Sequence, residues 1–220
     1  MKKFVLLFCL LASIVCSAQN NVIKEGSSTL TKDEMWSNVT KLVLSSADGK
    51  YAEYKIISSD NTLGQIILEL KKESLTGLHW EGLVKMRVCI EMKDEKYRIS
   101  DIGTKISYKL DDDYDHISSL PTNYLKDMKT DLEVIQSIFY DKKEVEYSSY
   151  IYNKDYYGRM LSSTPKYLKP KDEKKNKVNP TYDKYSRIVK ACDEVEKTIG
   201  NIKKFDTFYL SRALTEKNSF

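Results

Sequence analysis

The chain has 220 residues, of which 41% are hydrophobic and 31% are charged, and its formal net charge is +4. This composition is ordinary for a globular protein with one core and excludes a wholly disordered or fibrous chain. Loss of Lys2 and Lys3 with the N-terminal segment described next would leave about +2. Such a charge is too small to indicate a polyanionic partner, so we expect no nucleic acid to be bound.

The N-terminal segment has the pattern of a secretory signal peptide. Lys2 and Lys3 precede the apolar run Phe4–Val15, and small residues follow up to Ala18. We predict cleavage after Ala18 and an exported mature chain, in the periplasm or secreted. The alternative is a lipoprotein anchored at Cys16, which the bulky Val15 disfavours. The run is too short to span a bilayer, and no later segment is long enough, so we expect no transmembrane segment in the mature chain.

A short extended segment, Asn21–Lys24, leads into a well-marked helix start. Thr31 is the expected N-cap, and Glu34, three residues later, completes a capping box. Leu30 and Met35 have the spacing of a hydrophobic staple. We therefore predict an amphipathic helix that ends near residues 48–49.

Strands follow this helix. Two shorter ones are predicted at about 53–58 and 63–72, joined by a polar turn. A long hairpin then covers residues 80–109, with apolar residues at even positions up to Met92 and a turn at Asp94–Glu95. The apolar phase shifts by one residue beside Asp101 and Gly103, which predicts a β-bulge. On the outer face, Glu91 is expected to pair with Arg98.

The last part of the chain predicts a helix that covers the sheet. Asn179 and Pro180 form a helix start, and an apolar stripe follows at three- and four-residue spacing. Gly200 falls within this helix without shifting the stripe, so we expect a bend. The stripe consists of Tyr185, Ile188, Cys192, Val195, Ile199, Ile202 and Tyr209. Because one helix is too narrow to cover four or five strands, we predict that this second helix packs back on the sheet.

The sequence resembles a family of exported bacterial proteins of unknown function whose domain has a TATA-binding-protein-like (TBP-like) fold. The resemblance lies in Leu30–Trp36, in the turn and strand Asp60–Leu70, and in the hairpin segment Val88–Ile99. It implies an α+β fold, with a curved antiparallel sheet of four to five strands, helices on one face and the order β-α-β-β-β-β-α. It implies no catalytic residues, since none is established for the family.

We predict four segments: a signal peptide (1–18), the TBP-like domain (19–112), an insertion (113–178) and the C-terminal helix (179–217). The insertion is expected to contain one helix starting at Pro121, a Tyr-rich stretch without a clear period, and a Lys-rich loop. We expect the sheet and the last helix to form a single domain. Truncation after residue 178 would then expose apolar surface.

Cys89 and Cys192 are the two cysteines outside the predicted signal peptide. Cys89 falls on the polar side of its strand, whereas Cys192 falls on the apolar stripe of the last helix. The two thiols are then too far apart to be joined, and we predict no disulfide.

Candidate catalytic and metal-binding residues are few. Asp111, Asp113 and Asp115 have the spacing of a calcium loop, but His116 stands where that loop needs glycine. An acidic turn is the stronger interpretation; the alternative is a metal-dependent hydrolase that uses these aspartates and His116. His79 is expected at the surface. Because we found no catalytic or cofactor motif, we favour a non-enzyme and expect no cofactor.

Two groups of side chains remain as a candidate binding surface. Tyrosines are dense in the insertion, and tyrosine is enriched in binding surfaces; an irregular loop explains them equally well. Basic residues on the outer face of the hairpin favour a solvated surface, with binding of an anionic surface or glycan as the minor alternative. The candidates are Tyr147, Tyr150, Tyr152, Tyr156, Tyr157, Lys85, Arg87 and Lys105.

The sequence therefore predicts an exported, non-catalytic binding or structural module of the cell envelope, whose partner is an envelope protein or a glycan. The second alternative to this function is an assembly subunit that associates through a coiled coil of the C-terminal helix. Asp206 interrupts the apolar seam of that coiled coil.

Overall fold

The structure, a computed structural model, describes residues 21–45, 52–75, 79–110, 122–163 and 180–217. The predicted signal peptide, the acidic cluster at residues 111–116 and the Lys-rich loop lie outside the described residues.

Strands and helices follow one another in an α+β order. The strands are β1 (Asn21–Ser27), β2 (Glu53–Asp60), β3 (Gln65–Leu75), β4 (Trp80–Lys93), β5 (Lys96–Leu110) and β6 (Glu144–Glu146). The helices are α1 (Lys32–Ser45), α2 (Thr122–Phe139), α3 (Tyr147–Ser163), α4 (Pro180–Asn201) and α5 (Thr207–Thr215), with a π-helical segment at Ile202–Asp206 between the last two.

Within the described residues, the strands form one sheet of six in the order β1-β5-β4-β3-β2, and β6 pairs with β5. β1 and β6 each run antiparallel to β5, and β2 runs antiparallel to β3. The predicted α+β class with an antiparallel sheet is confirmed. β6 adds one strand to the four or five expected. Of these three antiparallel pairings, β1–β5 and β2–β3 contain a register shift, between Val22 and Lys24 in β1 and between Ile56 and Ser58 in β2.

The β4–β5 hairpin has the geometry that its alternating sequence predicts. The even-numbered side chains of β4 from Val84 to Met92 are all buried, and the turn is at Asp94–Glu95. Gly103 has a φ of +152°, and its amide donates to Asp101 Oδ1 at 3.0 Å. This irregularity falls where the apolar phase of β5 changes, because Ile99 and Ile106 are both buried although they lie an odd number of residues apart.

The turn between β2 and β3 needs a glycine. Gly64 has a φ of +64°, and a Cβ there would lie 2.1 Å from the carbonyl oxygen of Met92. The Gly64 carbonyl accepts the Met92 amide at 2.7 Å. A side chain at this position would therefore both strain the backbone and separate two strands.

The described residues fall into two compact units. The first contains residues 21–45, 52–72, 85–104 and 201–217, and the second contains 73–75, 79–84, 105–110, 122–163 and 180–200. Strands β3, β4 and β5 each pass from one unit into the other.

The first unit contains α1, α5 and most of the sheet. The predicted capping box is confirmed, since the Thr31 amide donates to Glu34 Oε2 at 2.9 Å and the Glu34 amide to Thr31 Oγ1 at 3.3 Å. The hydrogen bond that the Thr31 amide donates lowers the pKa of the Glu34 carboxyl. The buried amide of Asn38 in α1 donates to the carbonyls of Ala213 and Glu216, at 3.0 and 3.1 Å. These bonds tie α1 to α5 and its C-cap.

The second unit contains α2, β6, α3 and α4 around an aromatic core. The Phe139 ring lies 6.2 Å from Trp80, 6.2 Å from Tyr150 and 4.8 Å from Tyr108. The C-terminal stripe is buried here at Ile188, Cys192, Val195 and Ile199. The Tyr-rich stretch, expected to lack a clear period, is the 17-residue helix α3.

Two expectations about exposure are wrong. Cys89 is 1% exposed, although it was expected to face outward. It is a short side chain between Arg87 and Glu91 on the same face of a central strand, and both longer residues form cross-strand ion pairs. His79, expected at the surface, is buried, and its amide donates to Asp131 Oδ2 at 3.2 Å.

Candidate functional site

Helix α3 has two faces that both carry apolar side chains. Tyr150 and Asn153 are buried on the inner face. On the outer face Tyr152, Tyr156 and Met160 are 62%, 42% and 36% exposed. Residues four apart lie above one another on a helix, so these three form one continuous stripe. We call it the tyrosine stripe.

The stripe continues into further aromatic rings of the same unit. The rings of Tyr152 and Tyr156 lie 6.4 Å apart and are nearly parallel, at 16°. Tyr156 lies 5.0 Å from Tyr157, edge to face, and Tyr157 lies 5.2 Å from Tyr185 of α4. Four successive rings thus contact one another within the usual range of aromatic pairs. Burial raises the pKa of Tyr157.

Buried polar groups hold α3 in place beneath the stripe. Asn153 donates to the Ile138 carbonyl at 3.2 Å and accepts the Tyr140 hydroxyl at 3.1 Å. Tyr140 itself has a positive φ of 49° just beyond the end of α2. On the other flank, Lys154 forms ion pairs with Asp193, at 3.0 Å, and with Glu196. The hydrogen bond to Glu196 raises the pKa of Lys154.

Two of the predicted tyrosines do not belong to this surface. Tyr150 is fully buried, and burial raises the pKa of its hydroxyl well above the ordinary value. Tyr147 is half-buried, and burial again raises its pKa. Met160 and Tyr185, by contrast, lie on or beside the stripe but were not among the predicted site residues. For Met160, the available signal was its four-residue spacing from Tyr156. For Tyr185, it was the position in the last helix.

The predicted basic residues all have interaction partners. Arg87 lies 3.3 Å from Glu69. Lys105 lies 3.2 Å from Glu144 and 3.6 Å from Glu146 of β6. Lys85 also has an interaction partner. The predicted pair of Glu91 with Arg98 is present at 3.9 Å.

The two alternative functions find no support in the described residues. The aspartates and His116 of the proposed metal site lie outside them, and the described ranges contain no group of three potential metal ligands. The stripe of α4 is buried at Ile188, Cys192 and Val195, so it is not free to form a coiled-coil seam. Asp206, expected to interrupt that seam, is buried too.

The sheet and its helices define an α+β protein with an open antiparallel sheet. The chain is similar to a TBP-like protein from Parabacteroides distasonis ATCC 8503, with 12% identity and a TM-score of 0.39 over 86% of this chain and 89% of that one. It is also similar to a DUF4468 family protein from Bacteroides ovatus ATCC 8483, with 13% identity and a TM-score of 0.36 over 82% of this chain and 84% of that one.

The TBP-like description of the first structure is the one that the sequence resemblance implies. The fold description of this chain rests on its own strand order. No family model and no curated protein matches the sequence. Among the helices of the described ranges, none combines the length and apolar character needed to cross a membrane.

Proposed function

We propose that this protein is a non-catalytic binding module, exported to the cell envelope, that contacts a protein partner through the tyrosine stripe. The exposure of Tyr152, Tyr156 and Met160 on one face of α3 carries this proposal. A helix buried on one face ordinarily shows charged or polar residues on the other. Three large, exposed side chains at four-residue spacing therefore indicate a surface that a partner covers.

The chemistry of the stripe favours a protein partner over a glycan. Tyrosine and methionine are enriched at the centres of protein interfaces, where lysine and glutamate are depleted. Tyrosine supplies a large contact area at a low cost in conformational entropy. The neighbouring Lys154 is already neutralised by Asp193 and Glu196, so a partner need not desolvate a free charge there.

Site-specific photo-crosslinking in cells of the source organism tests this function. A photoreactive phenylalanine analogue at Met160 should give one adduct of defined mass, and the Y152A/Y156A double variant should abolish it. The same analogue at Phe208, an exposed aromatic residue of the first unit, is the control and should not give that adduct. Absence of a discrete adduct at Met160, or one that survives the double variant, would overturn the proposal. Co-sedimentation with purified cell-wall glycan that depends on Tyr152 would point to the glycan instead.

Export is tested separately by the intact mass of the mature protein. Cleavage after Ala18 predicts a chain that begins at Gln19 and is recovered outside the cytoplasm. A diacylated chain that begins at Cys16 would keep the envelope location but replace secretion by membrane anchoring. An uncleaved cytoplasmic chain would refute export.

A further inference from the structure

A groove with a volume of about 570 Å³ lies at the tip of the β4–β5 hairpin, beside the end of β1, entirely within the first unit. We call it the tip groove. It is lined by Glu25, Gly26, Ser27, Glu91, Lys93, Lys96, Tyr97 and Arg98. Its volume is in the range of small-molecule sites.

The charges of the tip groove are not balanced. Arg98 lies between its two carboxylates, 3.6 Å from Glu25 and 3.9 Å from Glu91. Lys93 and Lys96 are both exposed, and neither forms an ion pair with any residue in the described part of the chain. Three cations thus face two carboxylates, and both carboxylates are already shared by Arg98.

The acidic residues of the turn lie outside the lining of the groove. Asp94 and Glu95 separate the two lysines in sequence, but neither lines the groove. Asp94 Oδ1 accepts the amide of Lys32 at 2.9 Å, at the start of α1. An aspartate bound to the first turn of a helix is stabilised there by the unpaired amides and the helix dipole.

The wall of the groove is shaped by a glycine and a tyrosine that are cross-strand partners. Gly26 of β1 pairs with Tyr97 of β5. A Cβ at Gly26 would lie 2.9 Å from the Tyr97 hydroxyl oxygen, so the bare glycine makes room for the ring. The Tyr97 hydroxyl forms no hydrogen bond within the described ranges, and the ring is largely buried.

We propose that the tip groove binds a small multivalent oxyanion through Lys93 and Lys96. Lysine ammonium groups act as mobile point charges that suit carboxylate and phosphate oxygens without demanding one orientation. The Arg98 guanidinium stays paired with Glu25 and Glu91 when the anion binds. This site lies in the other unit from the tyrosine stripe and does not depend on it.

Isothermal titration calorimetry of the full mature chain at low ionic strength tests the proposal with two probes, pyrophosphate and citrate. Binding of pyrophosphate alone would identify phosphate as the ligand group, and binding of citrate alone would identify carboxylate. The K93Q/K96Q double variant should weaken the binding about tenfold or more, because it removes both unpaired charges.

The matched control is K41Q/K55Q, which removes two exposed lysines of the same unit that do not line the groove. It should leave the binding within about twofold of the wild type, because it removes the same number of charges but keeps Lys93 and Lys96. The proposal is overturned if neither probe binds to the wild-type chain, or if the control weakens binding as much as K93Q/K96Q. Circular dichroism of each variant verifies that the fold is retained.

Discussion

Arg187 of α4 lies 3.2 Å from the carboxylate of Asp131 in α2, and this carboxylate is almost wholly buried. The same guanidinium lies 2.8 Å from Asp127 and 3.2 Å from Asp183. The second oxygen of Asp131 accepts the amide of His79. One buried acid thus joins two helices and the start of β4 within the second unit.

Removal of the guanidinium should destabilise this unit strongly. In R187M the Asp131 carboxylate stays buried without its counter-charge, and we expect unfolding to become easier by about 3 kcal/mol in urea denaturation. K154M is the control, because its partners Asp193 and Glu196 are largely exposed, and it should cost less than about 1 kcal/mol. Equal losses of unfolding free energy in the two variants would show that the contribution of the Arg187–Asp131 pair does not come from the burial of Asp131.

Tyr54 should stabilise the first unit through its hydroxyl. Asp206, in the π-helical segment, is buried, and its Oδ1 accepts the Tyr54 hydroxyl at 2.7 Å and the Ala52 amide at 3.2 Å. Its Oδ2 has no partner within the described ranges. Y54F leaves this acid with one donor fewer, and we expect a loss of about 1–3 kcal/mol in chemical denaturation. Y97F, whose hydroxyl forms no such bond, should be nearly neutral.

A double-mutant cycle separates this bond from the loss of the hydroxyl alone. If Asp206 is the partner that matters, Y54F should cost much less in a D206N background than in the wild type. The same cost in both backgrounds would contradict the assignment. A reduced cost in the D206N background would show that buried Asp206 stabilises the fold by accepting the Tyr54 hydrogen bond.

Tyr150 should show the opposite behaviour to Tyr54. Its side chain is fully buried, and its hydroxyl oxygen has no hydrogen-bond partner in the described part of the chain. Y150F removes a desolvated polar atom without changing the ring, so we expect stability to stay level or rise by up to about 1 kcal/mol. Thermal melting of Y150F and Y54F side by side measures the contrast. A clear loss in Y150F would reveal a partner for the hydroxyl.

Both cysteines should be protected in the native state. Cys89 and Cys192 are both buried thiols that form no disulfide in the described residues. Burial raises the pKa of the Cys192 thiol to about 12, so very little reactive thiolate is present at neutral pH. Both thiols should therefore react slowly with a thiol reagent in the folded chain. After unfolding, both should react readily, even when no reductant is added. A cysteine introduced at the exposed Ser148 is the control and should react at once. Fast reaction of Cys89 would contradict its burial.

The same thiol predicts a loss of stability at alkaline pH. The ordinary pKa is 9.0 and the folded-state pKa is about 12, so above pH 9 the unfolded chain releases a proton that the native chain retains. Stability from this group should be constant below pH 9 and fall between pH 9 and 12, by up to about 1.4 kcal/mol per pH unit. The slope of unfolding free energy against pH should be smaller for C192A than for the wild type. Equal slopes would show that the thiol is not the group responsible.

Local patterns determined much of the fold. The capping box at Thr31 and Glu34, the alternation along β4 and the turn at Asp94–Glu95 are all present as the sequence predicts. Each depends on residues a few positions apart, whose geometry the backbone alone enforces. The phase change near Gly103 is of the same kind, since it is visible in the strand itself.

The tertiary structure decided which side of helix α3 meets the core and how deeply Cys89 is buried. Helix α3 was not predicted because tyrosines occur on both of its faces, which hides the helical period. Only packing against Phe139 separates the buried Tyr150 from the exposed Tyr152. Cys89 is likewise buried by longer neighbours that pair across strands. The burial of a side chain depends on atoms supplied by distant segments, and the residue's own position in the sequence does not contain that information.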